Sequence, residues 1–305
     1  MMNYLATLLL KTKRWRIQLA ALGLWNSLFF PWFKALPCPA LNCYGCPLAI
    51  VACPIGSLQH FVVIHQIPFY ILGMVGIIGT LVGRMSCGWL CPFGFLQDVL
   101  YKLRGPKLHL SNRCGWLRYA VLITLVGIVP YLTLEPWFCK LCPQGTLEAG
   151  IPWLTLRAEL RDLIGGLFWL KVGILWLFLV WMVLIRRPFC RFVCPLGTIY
   201  SPFNRFSALQ LTVEENSCTR CDRCQQVCPM DIKVYEDAQS GQCIRCLECI
   251  KACPKGAIKV GNHRSSSLLP RIGQSQSRRS TDALAHHLPG SRQQHQDGQD
   301  KGQSV

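Results

Sequence analysis

The chain carries 19 cysteines, and eight of them fall in two runs near the C-terminus. The first run is Cys218-x-x-Cys221-x-x-Cys224-x-x-x-Cys228-Pro229, and the second is Cys243-x-x-Cys246-x-x-Cys249-x-x-x-Cys253-Pro254. This spacing suits cubane [4Fe–4S] centres. Three thiolates two residues apart wrap one corner of a cube, and the fourth ligand arrives from the other run. That rule assigns Cys218, Cys221, Cys224 and Cys253 to one cluster. It assigns Cys243, Cys246, Cys249 and Cys228 to a second. Pro229 and Pro254 close the runs and remove a backbone N–H at each. Zinc ribbons also use Cys-x-x-Cys pairs, but rarely three such steps followed by Cys-Pro, twice. The flanks repeat too: Cys228-Pro-Met-Asp-Ile-Lys-Val matches Cys253-Pro-Lys-Gly-Ala-Ile-Lys-Val after one inserted residue. Ile232, Val234, Ile258 and Val260 are expected to form short strands that keep water off the sulfurs.

The elements that must position these residues divide in two. Residues 211–260 read as a small α+β domain with two [4Fe–4S] clusters, close to neutral in charge. The first 210 residues are largely apolar. Four stretches there, near Ile17–Phe33, Phe61–Gly83, Trp116–Leu134 and Gly165–Ile185, are long enough to cross a bilayer. The expected fold is therefore an α-helical membrane bundle of four transmembrane helices plus the ferredoxin-like domain. Residues 261–305 are rich in Ser, Gln, Arg, His and Gly with no apolar period, as in a disordered tail. Residues 151–164 mix apolar and charged positions at helical spacing, as a helix lying on a membrane surface would.

Charge sets the orientation. The formal net charge is +17, from 32 Lys and Arg against 15 Asp and Glu. The basic residues flank apolar stretches, which excludes a nucleic-acid partner as their reason. Lys11, Lys13, Arg14 and Arg16 precede the first stretch, Arg84 to Arg118 fill the second connection, and Arg186, Arg187, Arg191 and Arg205 follow the fourth. The positive-inside rule puts both termini, the second connection and the cluster domain in the cytoplasm of a multi-pass inner-membrane protein.

The other eleven cysteines follow a duplication in the membrane part. Cys87-Gly-Trp-Leu-Cys91-Pro-Phe-Gly and Cys190-Arg-Phe-Val-Cys194-Pro-Leu-Gly both follow a basic helix end. Cys87, Cys91, Cys190 and Cys194 make a candidate inner metal or cluster site. On the outer side stand Cys38, Cys43, Cys46, Cys53, Cys139 and Cys142. Within them, Cys43-Tyr-Gly-Cys46-Pro and Cys139-Lys-Leu-Cys142-Pro make Cys43, Cys46, Cys139 and Cys142 a candidate outer site. Disulfides and redox thiols are open alternatives there, because an extracytoplasmic compartment is oxidising. Cys114 stands alone. No Gly-rich phosphate loop or Ser/His/Asp set points to hydrolysis or group transfer.

This order of parts resembles the NapH/MauN-type membrane iron–sulfur proteins. The resemblance spans about residues 15–260 and rests on Cys87/Cys91-Pro92, Cys190/Cys194-Pro195 and the two C-terminal runs. It implies an electron-transfer component of an oxidoreductase complex. The NapH branch takes electrons from membrane quinol toward a periplasmic reductase. Related branches serve nitrous oxide reduction and methylamine oxidation, partly as accessory or maturation factors. The expected partners are a reductase, cytochrome or ferredoxin-like redox protein, with quinol as a candidate substrate and quinone as a candidate cofactor. The six outer cysteines go beyond the minimal NapH pattern. Accessory electron delivery to another metalloenzyme and redox sensing are the alternatives. Candidate proton acceptors for quinol chemistry are His60, His65, Asp98, His109 and Glu135.

Overall fold

The computed structural model describes residues 8–27, 36–110 and 112–262. Most of the expected polar tail, from residue 263 on, lies outside the described residues, as do residues 28–33 of the first apolar stretch. The described residues belong to one compact unit, Met1–Ser266.

Helix α1 (Arg14–Trp25) stops at Asn26, whose side-chain amide donates back to the Leu22 carbonyl at 3.1 Å and to Asn42 Oδ1 at 3.2 Å. Helices α2 (Pro54–Val63) and α3 (Phe69–Val82) follow. The sequence reads residues 61–83 as one span, but the chain breaks between these two helices. His65 takes a positive φ of 53° there. Pro68 lacks an N–H and pushes Ile67 out of the helical region. Two short helices, α4 (Met85–Trp89) and α5 (Pro92–Leu100), carry the first inner motif.

Helix α6 (Cys114–Thr133) and, further on, Gly166–Leu184 are the two helices long and apolar enough to cross a membrane among the described residues. Within α6 the turns widen to a π-helix over Leu122–Ile128. Pro130 supplies the cause, since its ring crowds the carbonyl one turn back and it donates no hydrogen bond. Helix α7 (Trp137–Leu141) packs back on α6, and a helical run over residues 143–156 (α8) packs on Gly166–Leu184. The amphipathic stretch expected at 151–164 is not one helix. Arg157 is extended, and a 3-10 turn covers Ala158–Leu163. Helix α9 (Gly166–Leu184) then leads to α10 (Pro188–Phe192), α11 (Pro195–Tyr200) and α12 (Phe203–Phe206). Most of the apolar surface of α6 and α9 is not buried inside the protein, and Ile123, Leu132, Trp169, Trp176 and Leu177 face outward. A soluble core helix would bury most of such a surface.

The C-terminal part holds β1 (Leu209–Val213), α13 (Arg223–Gln226), α14 (Glu248–Ala252) and β2 (Ile258–Asn262). The two strands pair antiparallel, Leu209 opposite Asn262 and Val213 opposite Ile258. Ile258 and Val260 thus lie in a strand as expected, but Ile232 and Val234 do not. These two are buried in irregular chain, and the strand partner comes from Leu209–Val213 instead.

The second cysteine run docks directly on the helical part that precedes it. Trp89 Nε1 donates to the Arg245 carbonyl at 3.1 Å, and Arg84 Nη1 to the Gly241 carbonyl at 2.7 Å. Asn204 Nδ2 donates to the carbonyls of Ser240 and Cys243, at 2.8 and 2.7 Å. Arg186 reaches the carbonyls of Gln226 and Cys228. The fit is tight at Gly88, where a Cβ would stand 2.5 Å from the Ile244 carbonyl oxygen. Gly88→Ala is therefore expected to cost about 1–3 kcal/mol, the range for overpacking, and to loosen this docking. Limited proteolysis should release the C-terminal fragment faster. Gly73→Ala, with nothing within 4 Å of the new methyl, serves as the silent comparison.

Candidate functional site

The ferredoxin-like cysteines gather as two sets. Cys218, Cys221, Cys224 and Cys253 line one small pocket together with Pro254 and Tyr235. Cys228 lies with the other run. Burial, together with neighbouring Cys246 and Cys243, pushes its thiol up to about 12. Cys249 is raised in turn by burial and by Cys246, Cys243 and Cys228. The backbone of both runs is strained at matching places. Arg220 and Asp222 flank Cys221 with φ of 50° and 56°, and Arg245 and Leu247 flank Cys246 with φ of 47° and 63°. Non-glycine residues hold such angles only where their surroundings over-determine them. Here the strain folds each loop tightly around its central cysteine.

The inner set is built by repetition. Cys91 and Cys194 each cap a helix, α5 and α11, inside a Cys-Pro-x-Gly motif. The Gly94 and Gly197 amides donate to those sulfurs at 3.4 Å each. Proline suits the first helical position because no hydrogen bond is lost there. Cys87 and Cys190 come from α4 and α10, one short turn upstream. All four are buried, and Cys194 sits within electrostatic reach of Cys190, Cys87 and Cys91. Gln97 Nε2 donates to Cys190 Sγ at 3.1 Å.

Two arginines cross between the halves. Arg84, three residues before Cys87, reaches the second half, where a Cβ on Gly197 would meet its Nη2 at 2.6 Å. Arg187, three residues before Cys190, reaches the first half, 3.2 Å from a Cβ on Gly94. A side chain at Gly197 would force the Arg84 guanidinium to shift, and one at Gly94 would crowd that of Arg187. Arg84 also influences Cys243, so it stands between the inner set and the second ferredoxin-like set. Arg84 is 0% and Arg118 4% exposed. Among the described residues, Arg84 Nε and Arg118 Nε and Nη1 find no hydrogen-bond partner. Buried donors of this kind are costly unless something anionic answers them. A thiolate-bound cubane is such a group. The residues present therefore fit a cluster. The sequence pattern carried a sign of this, an arginine at the same offset before both Cys-x-x-x-Cys motifs.

Arg187 is itself 1% exposed and forks onto Asp98, Nε to Oδ1 at 2.8 Å and Nη2 to Oδ2 at 2.5 Å. Arg14 adds a contact to the same carboxylate. Burial alone would raise the Asp98 pKa. Arg187, then Arg14, outweighs it and holds the carboxyl below its ordinary value. Asp98 therefore anchors an arginine rather than standing free to take protons. Glu135 pairs with Lys140 at 2.6 Å, and His65 stacks edge-on against Tyr131 with ring centroids 4.5 Å apart. His109 is exposed, with Nδ1 3.8 Å from Asp231. His60 lines the cavity described next.

The remaining cysteines lie deeper than their sequence position implies. Gln59 bridges two elements: its Nε2 donates to the Leu125 carbonyl at 2.8 Å and its Oε1 accepts from the Cys139 N–H at 3.2 Å. Cys139 is thus level with the middle of α6, not beyond its end. Cys43, Cys53, Cys139 and Cys142 line one cavity of about 490 Å³. Cys46 is buried in the adjoining turn, where its amide donates to the Cys43 carbonyl at 3.0 Å, and is not among the lining residues. Cys38 is within electrostatic reach of both Cys53 and Cys91, so it lies between this cavity and the inner set. Among the described residues no three His, Cys, Asp or Glu side chains close around a single-ion site.

Three comparisons bear on these sites. A family model described as "4Fe-4S binding domain" matches residues 64–111, 118–158 and 166–212, and "4Fe-4S dicluster domain" matches 201–268. An uncharacterized protein of Methanocaldococcus jannaschii is 34% identical over 68% of this chain and 84% of its own length. The methylamine utilization ferredoxin-type protein MauN of Methylobacillus flagellatus is 29% identical over 52% of this chain and 56% of its own length. The putative electron transport protein YccM of Escherichia coli is 27% identical over 56% and 48%. No solved structure matches.

Replacing Asp98 by Asn should cost about 3–5 kcal/mol, the usual result of leaving a buried charge unpaired. The readout is thermal unfolding in detergent. Because the folded Asp98 pKa is below its unfolded value near 3.9, the pair is fully stabilising at neutral pH. Its contribution should fade only as pH falls through the folded value.

Proposed function

Because the chain belongs to the NapH/MauN-type iron–sulfur proteins, we propose that it is a membrane-bound electron carrier whose clusters run from the C-terminal domain into the bilayer. When bound, [4Fe–4S] groups supply one-electron transfer at potentials set by charge, hydrogen bonding and exposure. The chain's own residues do the rest. Cys218, Cys221, Cys224 and Cys253 hold one cluster, and Cys243, Cys246, Cys249 and Cys228 hold the second. Cys87, Cys91, Cys190 and Cys194 hold a third. The observation that carries this reading is Arg84, buried between the inner thiols and Cys243 with an unanswered Nε. Ligand thiolates must lose their protons, and a buried guanidinium favours the charged form.

In this reading residues 1–210 form the membrane part, 211–260 the two-cluster domain and 261–305 a polar tail. Four spans cross the inner membrane, with α6 and α9 as two of them and the basic connections in the cytoplasm. The outward apolar surface of α6 and α9 supports lipid contact. The break between α2 and α3 supports a span made of two pieces, with irregular backbone buried inside the protein. The electron partners are a quinol or a cytoplasmic donor on one side and an oxidoreductase on the other. The second reading is accessory electron delivery for maturation of another metalloenzyme. It is favoured by the likeness to MauN, a ferredoxin-type protein of methylamine utilization.

The test is anaerobic purification of the full chain in detergent with an iron and acid-labile sulfide count. Cys87→Ser should remove about four irons, one cubane, while the paramagnetic signals of the ferredoxin-like pair persist. An unchanged count would show that the inner thiols hold nothing, and that the chain is a tethered two-cluster ferredoxin.

A further inference from the structure

We propose that Cys43, Cys53, Cys139 and Cys142 ligate a further [4Fe–4S] cluster in the cavity beside the middle of α6. The proposal rests on the chain being an iron–sulfur protein, and it goes beyond the three clusters above. It also selects a different four from the one that spacing alone favours, since Cys53 takes the place of Cys46.

The set repeats the construction of the inner site. Each half of the membrane part contributes two thiols, Cys43 and Cys53 from one, Cys139 and Cys142 from the other. Cys53 and Cys142 occupy the N-cap positions of α2 and α8 within Cys-Pro-x-Gly motifs, the positions that Cys91 and Cys194 hold in α5 and α11. The glycines cross again. A Cβ on Gly56 would stand 3.6 Å from Cys139 Sγ, and one on Gly145 would stand 3.6 Å from Cys43 Sγ. Each glycine of one half therefore faces a thiol of the other half. All four thiols border the same cavity of about 490 Å³. Cys139 is within electrostatic reach of the other three.

The arrangement fits a multinuclear centre better than a single ion. In a tetrahedral zinc site four ligands crowd a single ion at about 2.3 Å, and no such group of three exists among the described residues. In a cubane each thiolate holds its own iron at a separate corner, so the sulfurs stand further apart around a shared space. The depth fits as well. Irregular backbone at the level of the α6 midpoint is tolerated in a membrane only where it is buried or lines a cavity. Here it does both. Glu148 Oε2 accepts from the Cys43 N–H at 2.7 Å and fixes the loop that presents Cys43. Cys38, between Cys53 and Cys91, places this cavity next in line after the inner set.

The experiment compares iron, sulfide and zinc per chain in anaerobically purified full-length protein. Wild type should hold about sixteen irons, four cubanes, and no stoichiometric zinc. Cys53→Ser and Cys139→Ser should each lose about four irons, Cys46→Ser none. The ferredoxin-like signals should survive in all three, which separates loss of one site from misfolding. A wild-type count of about twelve overturns this inference and leaves the three-cluster reading intact, whereas absence of the ferredoxin-like signals in wild type overturns that reading. Equal iron loss in Cys46→Ser, one zinc per chain lost with Cys53, or protection of these thiols from alkylation as disulfides would each overturn the proposal.

Discussion

Five arginines, Arg84, Arg118, Arg187, Arg191 and Arg245, are each at most 4% exposed. A folded chain cannot withdraw that much positive charge from water without answering it. Asp98 answers Arg187, and Asp231 lies 3.9 Å from Arg191. The ion pairs among the described residues leave Arg84, Arg118 and Arg245 without a carboxylate. Arg245 spends its hydrogen bonds on the carbonyls of Val82 and Asn204 and on Ser207, and burial lowers its pKa to about 10. The remaining groups within reach that can become anionic are cysteine thiols. Burial raises thiol pKa values, and metal ligation reverses that by deprotonating the sulfur outright. Guanidiniums and thiols at this junction thus make each other tolerable, provided iron and sulfide are bound.

The rest of the architecture serves that junction. The duplicated Cys-Pro-x-Gly turns put a thiol at the start of a short helix and leave a bare glycine three residues on. At the inner site the bare glycines admit an arginine from the opposite half. At the deeper cavity they face a cysteine from the opposite half. One local device, used four times, therefore locks the two halves together by crossed contacts. The ferredoxin-like part is held largely through its backbone carbonyls, with Asp231 facing Arg191 at 3.9 Å as well. Trp89, Arg84 and Asn204 read the backbone from Ser240 to Arg245, which brings the second cysteine run against the inner thiols.

Much of this was legible in the sequence, though unevenly. The crossed grouping of the eight C-terminal cysteines follows from their spacing, and the two long apolar helices from composition. The strand partner of Ile258–Asn262 was misplaced: Ile232 and Val234 were expected to supply it, whereas Leu209–Val213 does, an alternation of Leu209, Leu211 and Val213 with Gln210 and Thr212 that lies at the edge of the apolar part. Other features need tertiary structure. The apolar run from 61 to 83 hides a left-handed turn at His65, which periodicity cannot show, although Pro68 marks the place. Cys43-x-x-Cys46 looks like a ligand pair, yet the hydrogen bond from the Cys46 amide to the Cys43 carbonyl closes a tight turn, and Cys46 stands outside the cavity. The crossing of Arg84 and Arg187 depends on how the two halves pack, so only their matched offsets could hint at it.

The most direct test is a redox titration, followed by electron paramagnetic resonance, of wild type, Arg84→Gln and Arg84→Lys. Arg84 lies between the inner thiols and Cys243, and removing a positive charge beside a cluster disfavours its reduction. The account predicts lower potentials for the inner cluster and its ferredoxin-like neighbour in Arg84→Gln, and an unmoved potential for the cluster of Cys218, Cys221, Cys224 and Cys253. Arg84→Lys should retain much of the wild-type behaviour. Unchanged potentials in Arg84→Gln, or a uniform shift of every cluster, would contradict it.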